Sequence, residues 1–190
     1  KRGERQPAVR IGLIGDTHVP ALSPVLSTHI ETAFSGLDII LHVGDICELY
    51  VLKEFQEKYT LTMAVAGESD SEDVRHYVDE KRIVSFGQRR IGMIHGHQFE
   101  AQHGSIFDNF RRWLKLKPSG AAFETFLLSQ FADDQVDAIV FGHTHQPYVK
   151  MHGNVLLFNP GAAVAIPDHR PSVGILDVRA RNITGKIVYL

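Results

Sequence analysis

The chain has 190 residues, of which 44% are hydrophobic, so it can bury one core without disulfides or a structural metal. A net charge of −2, from 20 basic and 22 acidic residues, excludes a broad cationic surface for a nucleic-acid partner. A run of about 20 apolar residues is absent, so we expect no membrane partner. The lone cysteine, Cys47, cannot form an internal disulfide and favours a cytoplasmic location. We expect residues 1–7 to be a disordered tail and residues 8–190 to be a single domain.

Three apolar runs in the first half of the chain each end in a glycine followed by an acidic residue. The runs span residues 9–14, 38–43 and 61–66, and apolar residues at helical spacing lie between them at 23–34 and 48–58. This alternation predicts parallel strands joined by right-handed helical crossovers. Because open sheets of this kind carry their sites at the carboxyl ends of the strands, we expect Asp16, Asp45 and Glu68 to converge.

The second half predicts further strands and a helical segment. The strands are predicted at 82–86, 90–94, 137–141, 148–151, 155–158, 172–178 and 183–190, and the helical segment at 104–132. The expected fold class is therefore α/β, with two packed mixed β-sheets flanked by helices in a four-layer αββα sandwich. The helical segment could cap a cleft, form the interface of a homo-oligomer or pack on the sheet, and packing is the favoured interpretation.

Histidines cluster beside glycines and acidic residues at the predicted strand ends. The motifs, in chain order, are Gly15-Asp16-x-His18, Gly44-Asp45, Gly67-x-x-Asp70, His95-Gly96-His97 and Gly142-His143-x-His145. Each motif alone is weak evidence, because a single Asp-x-His is more often a capped turn and two histidines in a loop are more often surface residues. The ordered series favours a metal site, since zinc, manganese and iron accept imidazole together with carboxylate ligands.

These motifs resemble the calcineurin-like metallophosphoesterase superfamily, and within it the small phosphodiesterases and the phosphoesterase-like subunit of retromer. The resemblance implies hydrolysis of phosphate esters, with phosphodiesters favoured, by two divalent metal ions and a metal-bound hydroxide. Manganese is the favoured ion, with iron, zinc, nickel and cobalt as alternatives, and the substrate would be a small-molecule or nucleotide phosphate ester. The alternative is a non-catalytic, phosphoesterase-like module that binds proteins.

The resemblance also implies roles for individual residues. Asp16, His18 and His145 would bind the first ion, Asp45 would bridge both ions and contribute to catalysis, and His95 and His143 would bind the second ion. Asn159-Pro160-Gly161 matches a turn that closes over the site in the family, although Ala162 stands where serine is usual.

Two departures from the family pattern concern the chemistry directly. Glu68 stands where the family has asparagine, and we expect it to ligate the second ion at a cost of one unit of positive charge; a displaced second ion is the alternative. Ser69 stands where many members have a histidine that acts as general acid, and His97 and His103 are the nearest replacements in sequence. For both histidines, a polar side chain on the rim of the site is the competing interpretation. Asp70 is a further catalytic candidate, through support of a ligand or loop.

Overall fold

The computed structural model describes residues 8–37, 39–103, 120–167 and 169–190. The strands are β1 (Val9–Ile14), β2 (Ile39–His42), β3 (Leu61–Ala64), β4 (Lys81–Phe86), β5 (Arg89–Ile94), β6 (Ala138–Val140), β7 (Tyr148–His152), β8 (Val155–Asn159), β9 (Ser172–Val178) and β10 (Ile183–Tyr189). The helices are α1 (Thr28–Ala33), α2 (Leu49–Lys58), α3 (Glu72–Tyr77), α4 (Gln98–His103) and α5 (Gly120–Gln130). The predicted tail and the first part of the predicted helical segment, 104–119, lie outside the described residues.

The strands form two mixed sheets of five strands each, which confirms the predicted fold class. The first sheet has the order β10-β9-β1-β2-β3, in which β1, β2 and β3 are parallel. The second has the order β4-β5-β6-β8-β7, in which β5, β6 and β8 are parallel and the two edge strands are antiparallel to their neighbours. Parallel central strands bring several carboxyl ends to the same edge of each sheet.

Three clusters of buried side chains define the layers. The sheets face each other through side chains that include Leu13, Leu41, Met93, Val140 and Phe158. The outer face of the first sheet packs against α1, α2 and α3 through residues that include Phe34, Leu52 and Val74. The outer face of the second sheet packs against α4 and α5 through residues that include Phe99, Phe126 and Leu127. Helices therefore cover the outer face of both sheets.

The helical predictions need correction at three places. The helix predicted from residue 23 begins only at Thr28, because Pro24 disfavours helical backbone at the preceding residue and Ser27 caps the helix by accepting a hydrogen bond from the His29 amide at 3.3 Å. The short helices α3 and α4 were not predicted. Helix α5, Gly120–Gln130, lies in the described part of the segment predicted to be helical at 104–132. Within the described ranges, no helix is both long and apolar enough to cross a bilayer.

Candidate metal centre

The loops that follow the central strands of both sheets meet at one end of the sandwich. Asp16, Asp45 and Glu68 lie in the loops after β1, β2 and β3, while His95 and His143 follow β5 and β6. Backbone hydrogen bonds tie these loops together: the Asp16 amide donates to the Gly44 carbonyl at 3.0 Å, and the Gly142 amide donates to the His95 carbonyl at 3.0 Å. The convergence expected from the strand order is present.

One group of side chains that could hold a metal ion consists of Asp16, His18, Asp45 and His145, whose donor atoms all lie within 4.8 Å of one another. The Nε2 atoms of His18 and His145 are 3.1 Å apart. His145 Nε2 lies 3.5 Å from Asp16 Oδ1, and His18 Nε2 lies 3.5 Å from Asp45 Oδ2. The structure thus brings together the four residues predicted around the first ion.

A second such group consists of Glu68, His95 and His143. His143 Nδ1 lies 2.7 Å from Glu68 Oε1, and His95 Nε2 lies 2.8 Å from Glu68 Oε2. His95 Nδ1 is 2.7 Å from the Val43 carbonyl oxygen, to which it can only donate, so Nε2 is the nitrogen that faces the site. Glu68 therefore contacts both of the histidines predicted around the second ion.

Asp45 belongs to the first group and also faces the second. Its Oδ2 atom is 3.5 Å from His18 Nε2 in the first group and 3.6 Å from His95 Nε2 in the second. Ser69 orients this carboxylate, because its amide donates to Oδ1 at 2.8 Å and its hydroxyl donates to Oδ2 at 3.1 Å. A Cβ atom at Gly67 would lie only 2.3 Å from Asp45 Oδ1, so this close approach requires glycine.

Five of the candidate ligands have left-handed backbone conformations. The φ angles are 50° at Asp16, 47° at His18, 54° at Asp45, 64° at His143 and 59° at His145. Positive φ is uncommon for residues other than glycine, and strained backbone of this kind concentrates at functional sites. The loops hold these residues in conformations that local preference alone would not select.

Burial makes this cluster a good host for a cation. Asp16 is fully buried, which raises the pKa of its carboxyl to about 7. Its Oδ2 atom has no hydrogen-bond partner among the described residues. Burial, followed by the charge of His18, lowers the pKa of His145 to about 4, so its nitrogen is available as a neutral ligand. Three carboxylates and four imidazoles fit divalent ions such as zinc, manganese or iron.

The sequence pattern of the calcineurin-like phosphoesterase superfamily domain matches residues 9–181. The chain belongs to the calcineurin-like phosphoesterase superfamily. It is 27% identical over 181 residues to a probable metallophosphoesterase of Methanothermobacter thermautotrophicus, covering 94% of this chain and 91% of that protein. It is 23% identical over 187 residues to a phosphodiesterase of Methanocaldococcus jannaschii, covering 92% and 96% of the two chains. The fold is similar to that of Vacuolar Protein Sorting 29 from Cryptosporidium parvum, with a TM-score of 0.70, 19% identity and coverage of 97% and 99%.

In this calcineurin-like phosphoesterase, the Asp70 carboxylate accepts hydrogen bonds from backbone amides and belongs to neither group of candidate metal ligands. Its Oδ1 accepts the Cys47 amide at 2.7 Å and its Oδ2 accepts the Gly67 amide at 2.7 Å. Asp70 is 5% exposed, so both bonds are shielded from water. This carboxylate joins the loops that carry Asp45 and Glu68, and its supporting role in catalysis stays a prediction.

His97 lies on the rim of the superfamily site. Its Nδ1 atom is 3.7 Å from Glu68 Oε2, and its ring centroid is 5.5 Å from that of His95. Burial and the nearby charge of His95 lower the pKa of His97, which favours the neutral ring over the proton donor that a general acid must be. The side chain of His103 lies outside the described residues.

Two supporting residues were not identified from the sequence. His42 is fully buried, and burial lowers its pKa to about 3, so it stays neutral. Its Nδ1 accepts the Gly44 amide at 3.3 Å and its Nε2 donates to Thr17 Oγ1 at 3.2 Å, while Thr17 donates to the Asp45 carbonyl at 3.2 Å. A histidine inside an otherwise apolar strand was the available signal. Cys47 is buried, as expected for a core residue.

The turn at Asn159-Pro160-Gly161 braces the loop that carries His143. Asn159 Nδ2 donates to the Gly142 carbonyl at 2.7 Å and to Thr144 Oγ1 at 3.1 Å. Its Oδ1 accepts the Gly161 amide at 2.8 Å, which closes the turn. The family match at this turn therefore corresponds to a contact with the site loop, although Ala162 provides no hydroxyl.

Proposed function

We propose that this protein hydrolyses phosphate esters, preferentially phosphodiesters, with two divalent metal ions. The observation that carries the proposal is the position of Asp45, whose Oδ2 atom lies 3.5 Å and 3.6 Å from one imidazole of each donor group. Family membership supports ester hydrolysis, and the similarity to an archaeal phosphodiesterase supports the choice of diester.

The ligand assignment follows the two donor groups. Asp16, His18 and His145 would hold the first ion, Glu68, His95 and His143 the second, and Asp45 would bind both. Manganese is the favoured ion, with iron, zinc, nickel and cobalt as alternatives. Two ions held by these residues would supply Lewis acidity toward the phosphoryl oxygens and would lower the pKa of water toward neutrality.

The chain supplies preorganisation around these positions. The Val43 carbonyl fixes which nitrogen of His95 faces the site, and Ser69 fixes both oxygens of Asp45. Donors held in place before the reaction need no reorganisation during it. Ser69 cannot donate a proton to the leaving group as a histidine would, and His97 is the candidate replacement. Because a general acid is absent at Ser69, esters with good leaving groups should react fastest.

Metal dependence is the first expected result. The purified protein should bind two ions per chain, and chelation should abolish hydrolysis of bis(p-nitrophenyl) phosphate, because carboxylate and imidazole ligands release ions more readily than a thiolate cage. Metal content and turnover would be measured before chelation, after it, and after addition of manganese, iron, zinc, nickel or cobalt. Undiminished turnover by a metal-free sample would rule out the proposed mechanism.

The negative charge of Glu68 leads us to expect a preference between monoesters and diesters. Three ionised carboxylates facing two divalent ions leave one unit less positive charge than a site with asparagine, so dianionic monoesters should be disfavoured relative to monoanionic diesters. Glu68→Asn should raise the ratio of monoester to diester turnover, or the affinity for the second ion. Rates on p-nitrophenyl phosphate and bis(p-nitrophenyl) phosphate would be compared at saturating metal.

Glu68→Gln is the matched control, because it removes the charge and keeps the length. If charge is responsible, both substitutions should move the ratio in the same direction. An unchanged ratio together with unchanged metal affinity in both variants would place Glu68 outside the metal coordination and remove the charge argument.

A non-catalytic, protein-binding role is the alternative. It is favoured by Ser69, which leaves the site without the expected general acid, and by the structural likeness to Vacuolar Protein Sorting 29. The metal experiment separates the two functions, since a protein that binds two ions but turns over neither ester would support the binding role.

A further inference from the structure

A cavity of about 400 Å³ adjoins the candidate metal centre. It lies between α4, α5 and the chain that connects β6 to β7. His143 belongs to its wall as well as to the second donor group, so the cavity begins where the proposed substrate phosphate would end. Its volume lies within the range of about 300–1,000 Å³ that is common for small-molecule sites.

Aromatic side chains form much of the cavity wall. The rings of Phe123 and Phe141 meet with centroids 5.6 Å apart and an interplanar angle of 71°, and those of Phe141 and Tyr148 meet at 6.2 Å and 58°. Tilted rings of this kind offer both faces and edges to an entering ring. Aromatic rings prefer to pair edge to face or in an offset stack, and this wall allows both arrangements. The wall therefore suits a flat aromatic group.

The charges of the wall disfavour an anionic group. The Glu124 carboxylate accepts hydrogen bonds from Tyr148 Oη at 2.5 Å and Lys150 Nζ at 2.9 Å, so it is compensated. The Glu100 carboxylate lies 3.6 Å from His143 Nε2 and is more than half exposed. None of the described lining residues carries an ammonium or guanidinium group. An uncharged ring fits this wall better than a carboxylate or a second phosphate.

We propose that this cavity binds an uncharged aromatic ester group of the phosphodiester substrate while the phosphate lies beside His143. The inference rests on the proposed function, because it assigns the phosphate to the metal centre. It makes Phe123 and the other cavity residues determinants of substrate specificity.

Direct binding can test this assignment without turnover. Metal-loaded protein would be titrated with dimethyl phosphate and with methyl phenyl phosphate, two monoanions that differ by one ring. Calorimetry would give both dissociation constants, at a temperature where an assay for released phenol shows no hydrolysis during the titration. The phenyl ester should bind about tenfold more tightly, near the upper end of what one added aromatic contact contributes.

Two variants locate the effect in the cavity. Phe123→Ala removes a ring from the wall, and Gln146→Trp fills the space from another side; each should reduce the preference to about threefold or less. Phe131→Ala is the matched control, since Phe131 is buried in the same cluster but does not line the cavity, and it should retain the preference. Circular dichroism and metal content would be measured for every variant.

The results separate failure of this inference from failure of the proposed function. Equal affinity for the two esters in the native protein would overturn the aromatic site even if the enzyme is active. An equal loss of preference in Phe131→Ala and Phe123→Ala would also overturn it. Preferential phenyl binding in a protein that shows no turnover would support the aromatic site and contradict the hydrolytic function alone.

Discussion

Replacing Asp45 with alanine is expected to abolish binding of both metal ions and to lower phosphodiester turnover by roughly a thousandfold or more. The reason is its shared position, with Oδ2 facing His18 in one donor group and His95 in the other. The substitution also leaves the Ser69 amide without its acceptor. Metal content by elemental analysis and initial rates on a chromogenic diester would be measured on the same preparation.

Two further variants serve as controls for the Asp45→Ala result. Asp45→Asn keeps the shape and one acceptor oxygen but removes the charge, so it should weaken both ions while leaving the loop in place. Asp133→Ala removes an exposed carboxylate outside the donor groups and should leave metal content unchanged. Two ions per chain in Asp45→Ala would show that the bridging assignment is wrong.

Asp70→Ala should destabilise the protein by about 3 kcal/mol and weaken metal binding about tenfold to a hundredfold. The substitution leaves the buried amides of Cys47 and Gly67 without acceptors and disconnects the loops that carry Asp45 and Glu68. The free energy of unfolding would be measured by urea denaturation of metal-free protein, and the metal affinity by competition with a chelator at a temperature where the variant is folded.

Asp70→Asn and Asp73→Ala serve as controls for this loop-joining role. Asparagine retains one acceptor and should lose less stability than alanine, whereas Asp73 is exposed on α3 and its replacement should have little effect. If Asp70→Ala kept the stability and metal affinity of the native protein but lost activity, Asp70 would act on the substrate and not on the loops.

Local patterns explain why much of the fold and the candidate ligand set could be predicted. The apolar run of β1 matches its predicted bounds, and its end at Gly15 signalled where the side chain of Asp16 would emerge. Parallel order then required the acidic strand ends to meet, which the structure confirms. The roles of these residues as metal ligands stay predictions until metal binding is measured.

The parts that could not be predicted depend on contacts between distant residues. Ser69 binds a carboxylate 24 positions earlier, and His42 binds a hydroxyl 25 positions earlier, so no local pattern reveals either contact. The reach of Glu68 to His95 and His143 also depends on how the two sheets pack. The aromatic cavity requires side chains from α4, α5 and the strand ends at once, and only their arrangement in space reveals it.

The left-handed backbone at five candidate ligands lowers the folding stability of the protein at the positions that the proposed metal site requires. A left-handed conformation costs a residue other than glycine roughly 1–2 kcal/mol, and it recurs here from Asp16 to His145. Glycine would relieve that strain at each position, but it would remove a candidate metal donor. Selection for stability alone would therefore favour glycine at these positions, and selection for the proposed metal site would oppose it. If the proposed metal site is correct, a descendant that lost it could become more stable through the same substitutions that remove the candidate ligands.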